Sequence, residues 1–283
     1  MAAPTKKIFS VGLNAARVYA LTTAGYPAAT NATVYSGINI GGPIEFSIET
    51  PQPTNIAHPG NNQILQYDVL PSIDAAVGTL KVSRQDNDTV VLLTNTKNAT
   101  LGDTNVMGWM TNQQGTEPTV ALVTYQQAKD NSGNRIWHTY LMPRAIILPA
   151  VHGMSRDRQD INFAVQPQVC TKNLTGLSFD SSTYGYTSTR MLDLQSSHRL
   201  HFSAWKTTAT EAIYTLDTAF PAYITGGVGM VVYKNGVLMT YGATADNTHY
   251  TATTTVITFG AALTNGDMVV TMYEVDDTAV VID

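Results

Sequence analysis

The stretch VVYKNGVLMT, residues 231–240, contains two short runs of strand-forming residues joined by Asn235 and Gly236. An Asn-Gly pair between two such runs is the strongest short-range signal for a β-hairpin, because both residues tolerate the positive φ angles of a type I′ turn. A second Asn-Gly pair follows at Asn265 and Gly266. The end of the chain is therefore predicted to fold into short strands connected by tight turns.

The composition of the whole chain also favours β-structure. Threonine occurs 40 times in 283 residues, and valine, isoleucine and tyrosine recur in most segments. These side chains suit the half-buried surface of a pleated sheet. Long windows rich in Glu, Lys, Leu and Ala, which favour helices, do not occur. We expect a mainly β protein, and the length allows one large domain or two.

The sequence carries no mark of secretion or of a membrane span. Cys170 is the only cysteine, so no disulfide can form within one chain. The first residues, MAAPTKKIFS, contain two lysines but not the apolar segment of a signal peptide. No run approaches the roughly 18 apolar residues that a membrane helix needs. We expect a protein that is made in a cytoplasm and either kept there or released by lysis.

The charges are unevenly distributed along the chain. The net charge is −5, yet residues 1–213 carry 15 Lys and Arg against 14 Asp and Glu. Residues 214–283 carry one lysine and seven acidic residues. This asymmetry predicts a first domain at residues 1–213 and a separate, solvated C-terminal module at residues 214–283. Residues 206–220, where the β pattern weakens, are predicted to be the linker.

The clearest element of the first domain is a long hairpin at residues 119–142, in which two apolar runs flank a turn at 129–134. Residues 49–62 contain three prolines and are predicted to be a loop. A short helix is predicted after Lys81, capped by Asp86 or Asp88. Further strands are predicted at 16–21, 45–50, 64–70, 144–150 and 161–169, and four or five in the C-terminal module fit a small β-sandwich.

No residues are predicted to form a catalytic, cofactor-binding or metal-binding site. His198 and His201 are three residues apart, but a third metal ligand at a suitable spacing is missing. The glycine cluster at 226–229 lacks the lysine of a phosphate-binding loop. The chain contains none of the usual nucleophile or zinc-protease signatures. Ordinary surface histidines and a loop are the simpler interpretations.

The paired acids and the cysteine also have simpler explanations than catalysis. Asp157 and Asp160, and the acidic residues within 274–277, lie close enough in sequence to suggest the carboxylates of a glycosidase. Spacing in sequence does not fix the distance between the two carboxyl groups that a glycosidase needs. We therefore expect these acids to be solvated charges in loops. Cys170 lacks a surrounding cluster of cations and is expected to be a small buried residue.

The three tryptophans, Trp109, Trp137 and Trp205, are well separated in sequence. A stacking platform for a sugar or a base is conceivable at Trp137, which lies in the aromatic segment RIWHTYLM. Packing in a core or at a subunit interface is the expectation.

Three features before the predicted linker occur together: the glycine-rich segment VYSGINIGGPIEFSIETP, the strand and helix after Lys81, and the hairpin at 119–142 followed by PRAIILPA. In these features the chain resembles the major tail tube proteins of long-tailed bacteriophages. The C-terminal module has a second recurring pattern, formed by Tyr233, Asn235, Gly236, Tyr250, Ile257, Phe259, Leu263, Gly266, Asp267 and Tyr273. In this pattern it is similar to small β-modules appended to phage structural proteins.

The resemblance implies a tail-tube-like β-sandwich or barrel of two packed antiparallel sheets with one short helix, followed by a small immunoglobulin-like sandwich. It implies a non-enzymatic virion protein without a cofactor, assembled in the host cytoplasm as hexameric rings that stack into the tail tube. Tape measure, terminator and distal tail proteins would be its partners, and no membrane would be involved. Double-stranded DNA would pass through the tube during ejection without being bound, and the C-terminal module would lie outside.

Three other interpretations stay open at this point. The chain could be another virion part, such as a capsid subunit or head decoration protein, although the long helix of common phage capsids has no counterpart in the sequence. It could be a carbohydrate-binding adhesin that uses Trp137, Tyr184 or Tyr186. It could be a β-rich hydrolase that uses Asp157 or Asp160.

The charged fraction of 13% is low and suits a subunit whose surface is largely interface.

Overall fold

The structure, a computed structural model, describes residues 9–23, 25–29, 33–49, 54–60, 63–70, 77–83, 87–94, 98–101, 105–109, 118–130, 132–151, 161–168, 192–223, 229–242 and 248–275. In this part of the chain nearly all regular structure is β-strand, and the strands form two packed sheets. The predicted fold class, a mainly β sandwich or barrel, is confirmed.

The elements in chain order are β1 (Phe9–Ala20), β2 (Ile38–Ile40), β3 (Pro43–Glu49), β4 (Thr54–Gly60), β5 (Gln63–Leu70), β6 (Val77–Val82), α1 (Asn87–Thr94), β7 (Asn98–Leu101), β8 (Asn105–Trp109), β9 (Val120–Lys129), β10 (Arg135–Val151), β11 (Ile161–Pro167), β12 (Leu192–Ser196), β13 (Leu200–Lys206), β14 (Glu211–Thr215), β15 (Met230–Lys234), β16 (Val237–Tyr241), β17 (His249–Ala252), β18 (Val256–Leu263) and β19 (Met268–Glu274).

The first sheet has the strand order β2-β1-β9-β10-β11-β6-β3, with β12 also paired to β10. All of these pairs are antiparallel. The end strands β2 and β3 are separated in the chain only by Gly41 and Gly42, so the two ends of the sheet lie close together. We call this nearly closed sheet the barrel.

The inside of the barrel is a packed apolar core, because alternate residues of its strands point inward. Leu93 of α1 joins this core, and Val90 on the same helix is also fully buried. The strands contribute Ala16, Val18, Ile40, Leu80, Val82, Val120, Leu122, Met142, Ala145, Ile147, Phe163 and Val165, with Phe46 and Ile48 packed against them.

Gly37, just before β2, has a φ of 72°, and an added Cβ would lie 2.8 Å from the Tyr19 ring. Only glycine meets both requirements, the left-handed backbone and the close ring. The bend in the glycine-rich segment therefore has a definite cause. It lets the chain turn over Tyr19 before β2 pairs with β1.

The second sheet, which we call the sandwich, has the order β13-β19-β15-β16-β17-β18-β14. Its pairs are antiparallel except for β16 and β17, which run parallel and pair only at Thr240 and Tyr241. This narrow junction divides the sheet into halves that share one core. The core residues are Trp205, Tyr214, Leu216, Ala222, Met230, Val232, Met239, Tyr250, Ile257, Phe259, Leu263, Val269, Tyr273 and Val275.

Two hairpins, β4–β5 and β7–β8, form separate two-stranded sheets. The β4–β5 hairpin lies in the chain between β3 and β6, which pair directly with each other and place Glu49 opposite Val77. Across the described ranges, neither β4 nor β5 pairs with a third strand. The chain thus leaves the barrel, forms a hairpin and returns beside its point of departure.

Most element predictions for the barrel are confirmed, and two are wrong. The long hairpin and the helix after Lys81 form as predicted, with Asp88 inside α1 and Asp86 outside the described residues. Residues 54–60 are strand β4 and not loop, because a register shift accommodates Pro59. Residues 144–150 are not a new strand. They continue β10 past Pro143, where the register shifts again.

Strands β13 and β14 pair within the sandwich, although the sequence places residues 200–206 and 211–213 in the first domain. The predicted linker at 206–220 contains β14, and Tyr214 there is fully buried in the sandwich core. The change of sheet falls between β12, which pairs in the barrel, and β13. The weak pattern that suggested a linker reflects a short, threonine-flanked strand, and the domain boundary itself stays a prediction.

Candidate assembly surfaces and the joint between the sheets

The predicted hairpin at Asn235 is confirmed. Lys234 pairs with Val237 across a two-residue turn, in which φ is 50° at Asn235 and 81° at Gly236, as a type I′ turn requires. The Asn235 side-chain amide donates to Asp267 Oδ1 at 2.7 Å, and its Oδ1 accepts the Met268 N–H at 2.8 Å. These bonds fasten the turn to the start of β19.

Asp267 is the centre of this fastening. Its Oδ2 accepts the Thr264 N–H at 2.8 Å and lies 3.5 Å from Lys234 Nζ. Burial raises the pKa of Asp267, but the hydrogen bonds from Asn235 and Thr264 stabilise the carboxylate more, so the pKa lies below its usual value. The second predicted turn, at Asn265 and Gly266, leads from β18 in one half of the sandwich to β19 in the other.

The residues that match the appended phage modules have structural roles. Four of them, at 235, 236, 266 and 267, build these two turns. The other six are at most 5% exposed: Tyr233, Tyr250, Ile257, Phe259, Leu263 and Tyr273. The pattern therefore describes a way of folding a small sandwich and does not describe a binding surface.

The acidic residues of the C-terminal part are tied into the structure where it is described. Of the seven, Asp217, Asp267 and Glu274 lie in the described ranges. Asp217 Oδ2 accepts the Ser36 hydroxyl at 2.6 Å, and Glu274 accepts the Ser196 hydroxyl. Both serines belong to the barrel part of the chain. Two of these acids therefore hold the sandwich to the barrel.

The joint between barrel and sandwich includes three further hydrogen bonds. Tyr35 and Ala204 exchange backbone N–H to C=O bonds of 2.8 and 2.9 Å. The Tyr19 hydroxyl donates to the Phe202 carbonyl at 2.9 Å. Tyr19 is fully buried, and this burial raises its pKa well above the ordinary value, so the hydroxyl keeps its proton. Strand β13 is in this way held against β1.

The centre of the joint is apolar. The outward-facing residues of β1, β9 and β10 pack against Phe202 and Met272 of the sandwich. Trp137 is 1% exposed within this cluster, and Trp205 lies in the sandwich core. Core packing, as expected, explains both tryptophans, and neither offers a face to a sugar ring. Trp109 lies in β8, while Tyr184 and Tyr186 fall outside the described residues.

One end of the joint holds cations among aromatic rings. The Arg17 guanidinium carbon lies 4.6 Å from the centroid of the Phe220 ring, and the His201 ring stacks on the same residue at 4.0 Å. Burial lowers the pKa of His201 well below its ordinary value, and the charges of Arg17 and Arg199 lower it further. His201 is thus a neutral, buried side chain that packs between the two units, and the prediction of a surface histidine is wrong for this residue.

His198 and His201 do not share a site. His198 stacks on Tyr223 at 3.5 Å, and its Nδ1 lies 3.4 Å from Glu274 Oε2. Ser197 Oγ contacts the same nitrogen at 3.0 Å, so the acid and the hydroxyl do not lie on opposite sides of the imidazole as in a catalytic triad. Among the described side chains, no group of three His, Cys, Asp or Glu could hold a metal ion.

The β4–β5 hairpin is the first candidate assembly surface. One edge of each strand pairs with the other strand, and the opposite edges meet no further strand in the described part of the chain. Unpaired strand edges of this kind readily add a strand from another chain. The hairpin is therefore suited to contact a neighbouring copy.

Strand β16 is the second candidate surface. Val237, Leu238 and Tyr241 are 65%, 58% and 44% exposed, although Met239 between them is buried in the sandwich core. Val237 and Tyr241 lie on the same face of the strand as Met239, whereas Leu238 points to the opposite face.

Asp157, Asp160 and Cys170 lie outside the described residues, as do residues 226–228 and 276–277. In the described ranges, the helical segments are too short or too polar to cross a membrane.

The chain matches no protein-family model, and no curated protein resembles it significantly in sequence.

Proposed function

We propose that the protein is the major tail tube subunit of a long-tailed bacteriophage, a structural protein that forms hexameric rings stacked into a hollow tube. The β4–β5 hairpin carries the proposal. The barrel closes without it, since β3 pairs directly with β6, while β4 and β5, which lie between them in the chain, pair with each other. Strands that do not complete their own barrel are suited to complete a neighbour's sheet.

The filled barrel supports the same proposal. Large side chains such as Phe163 and Leu122 occupy its interior, so DNA could not pass through one subunit. A channel would have to run between several copies arranged around an axis. Residues 1–213 carry a net charge of +1, and a lining without a basic excess would let DNA slide past, because each Lys or Arg contact with phosphate adds affinity.

The sandwich would project from the outside of the tube. Its joint to the barrel, through Tyr19, Tyr35 and Asp217, supports a fixed projection and not a tethered one. The apolar strand β16 would then be repeated at a constant position on every copy, so weak contacts there would be multiplied along the tube.

Electron microscopy of the purified protein tests the proposal directly. Six-fold rings or hollow rods are the expected result. A monodisperse monomer under all solution conditions, with no rings or rods, would contradict the proposal.

Deletion of the β4–β5 hairpin tests whether this hairpin is needed for assembly, as the proposal requires. Because Glu49 and Val77 are directly opposite, residues 50–76 can be replaced by an Asn-Gly turn that joins β3 to β6. We expect this variant to keep the circular dichroism of the barrel and to form no rods. Asn62→Gly, which changes only the link between β4 and β5, is the matched control and should still assemble. Normal rods from the deletion variant would remove the hairpin from the proposal.

A further inference from the structure

Residues 216–223, which we call the cover segment, lie over His201 at the barrel end of the sandwich. The segment contains no regular strand, and backbone hydrogen bonds hold it: Leu216 N–H to Thr255 O at 2.8 Å, Ala222 N–H to Thr254 O at 3.1 Å, and Tyr223 N–H to Glu274 O at 2.8 Å. The Tyr273 hydroxyl donates to the Phe220 carbonyl at 3.0 Å. Its attachment therefore depends on these separate bonds and on Leu216 and Ala222, which are buried in the sandwich core, and not on a continuous ladder.

The cover segment also holds the two units together. Its Asp217 accepts the Ser36 hydroxyl from the barrel part of the chain, and its Phe220 lies beside the Arg17 guanidinium of β1. Movement of the segment would break both contacts at once. The state of the segment is thus coupled to the tightness of the joint.

The surroundings of His201 beneath the cover segment disfavour a second proton on its imidazole ring. The side chain is 2% exposed, its ring stacks on Phe220 and meets the edge of Tyr273 at 5.6 Å. Its Nε2 is buried and has no hydrogen-bond partner among the described residues. In an imidazolium there, the Nε2–H would be desolvated without an acceptor, which is a costly arrangement.

The charged groups around this space oppose protonation as well. Two positive charges act on His201: that of Arg17, on β1, and that of Arg199, the residue just before β13. The nearest acid on the cover segment, Asp217, already accepts bonds from the Ser36 hydroxyl and from the Ala219 N–H at 3.0 Å. Tyr273, on β19, contributes a neutral hydroxyl that is used on Phe220.

We propose that the cover segment is an acid-released latch: His201 gains a proton only when Phe220 has moved away, so acid opens residues 216–223 and loosens the barrel from the sandwich. The closed state holds the pKa of His201 well below 6.5, through burial first and the two arginines second. Opening removes most of the burial, so the pKa of His201 rises toward its ordinary value. The proposal concerns one subunit and does not depend on tube assembly.

The linkage has a definite sign. A histidine whose folded pKa is lowered stabilises the closed state fully above the ordinary pKa of about 6.5, and the closed state weakens as the pH falls below it. One proton taken up on opening raises the opening constant by about tenfold per pH unit in that range. Above about pH 7.5 the opening constant should not change with pH.

Hydrogen exchange on the unassembled wild-type subunit tests the latch. We expect the amides of Phe220, Ala222 and Tyr223 to lose protection by up to roughly a hundredfold between about pH 7.5 and pH 4.5, after correction for intrinsic exchange. The amides of Val232 and Val270 in the sandwich should change far less. Protection of the cover segment that is independent of pH, or an equal loss at all five amides, would overturn the proposal.

A histidine replacement identifies the proton acceptor. His201→Gln removes the titrating group, so the cover segment should show the same protection at both pH values. His249→Gln, on β17 and outside the cluster, is the matched control and should keep the wild-type pH dependence. A full pH dependence in His201→Gln would overturn the assignment. If that variant does not fold, the wild-type exchange data alone decide the matter.

Discussion

Ser36 donates a hydrogen bond to Asp217 Oδ2 at 2.6 Å, although the two residues are 181 positions apart in the chain. Ser36 precedes β2, and its carbonyl accepts the Arg17 Nε–H at 3.1 Å. Asp217 lies in the cover segment of the sandwich. One short side-chain contact therefore joins the start of the barrel to the unit that the charge pattern had suggested was separate.

Removing this contact should weaken the whole protein. Ser36→Ala leaves the half-buried Asp217 carboxylate without its donor across the joint, and we expect a loss of about 1–2 kcal/mol in the free energy of unfolding. Denaturant titration measures the loss. Ser132→Ala, at an exposed position in the β9–β10 turn, is the matched control and should change stability by less than about 0.5 kcal/mol. Equal stability of both variants would show that the Ser36 contact contributes nothing.

The barrel and the sandwich should unfold together. Burial of a large apolar side chain contributes about 1.5–3 kcal/mol, so Tyr19, Trp137 and Phe202 together couple the units by several kcal/mol. We expect one calorimetric transition whose van't Hoff enthalpy equals the measured enthalpy. Phe202→Ala should lower the melting temperature of that single transition. Two well-separated transitions in the wild type would instead support the independent module that the sequence predicted.

Local signals in the sequence predicted local structure well. Asn235 and Gly236 specify a turn because both tolerate a positive φ. The long hairpin at 119–142 is predicted by its two apolar runs. The joint has no such signal, because Ser36 and Asp217, or Tyr19 and Phe202, meet only after the chain has folded. Net charge gives no sign of the joint for a physical reason: it counts Asp217 and Glu274 as solvated, whereas both accept hydrogen bonds from serines.

The Asn235 turn should separate backbone strain from side-chain bonding. Asn235→Gly keeps the positive φ and removes the side-chain bonds to Asp267 and Met268, so we expect a loss of about 1–2 kcal/mol. Asn235→Ala loses the same side-chain bonds but keeps a Cβ in the left-handed region, so it should be about 1 kcal/mol less stable than Asn235→Gly. Thermal or denaturant unfolding of the two variants measures the difference. Equal stabilities would mean that the turn relaxes to avoid the strain.

Asp267 should make the sandwich sensitive to strong acid. Its folded pKa is lowered from 3.8, so its carboxylate stabilises the fold above that value, and the contribution disappears as the pH falls through the lowered pKa. The stability difference between wild type and Asp267→Asn should therefore be largest near neutral pH and shrink below about pH 4. The hydrogen bonds outrank the Lys234 charge as causes, so Lys234→Met should preserve most of this pH dependence and Asn235→Gly should reduce it. Denaturant titrations at several pH values measure these differences in the free energy of unfolding. If the difference between wild type and Asp267→Asn stays constant with pH, the fold does not selectively stabilise the carboxylate.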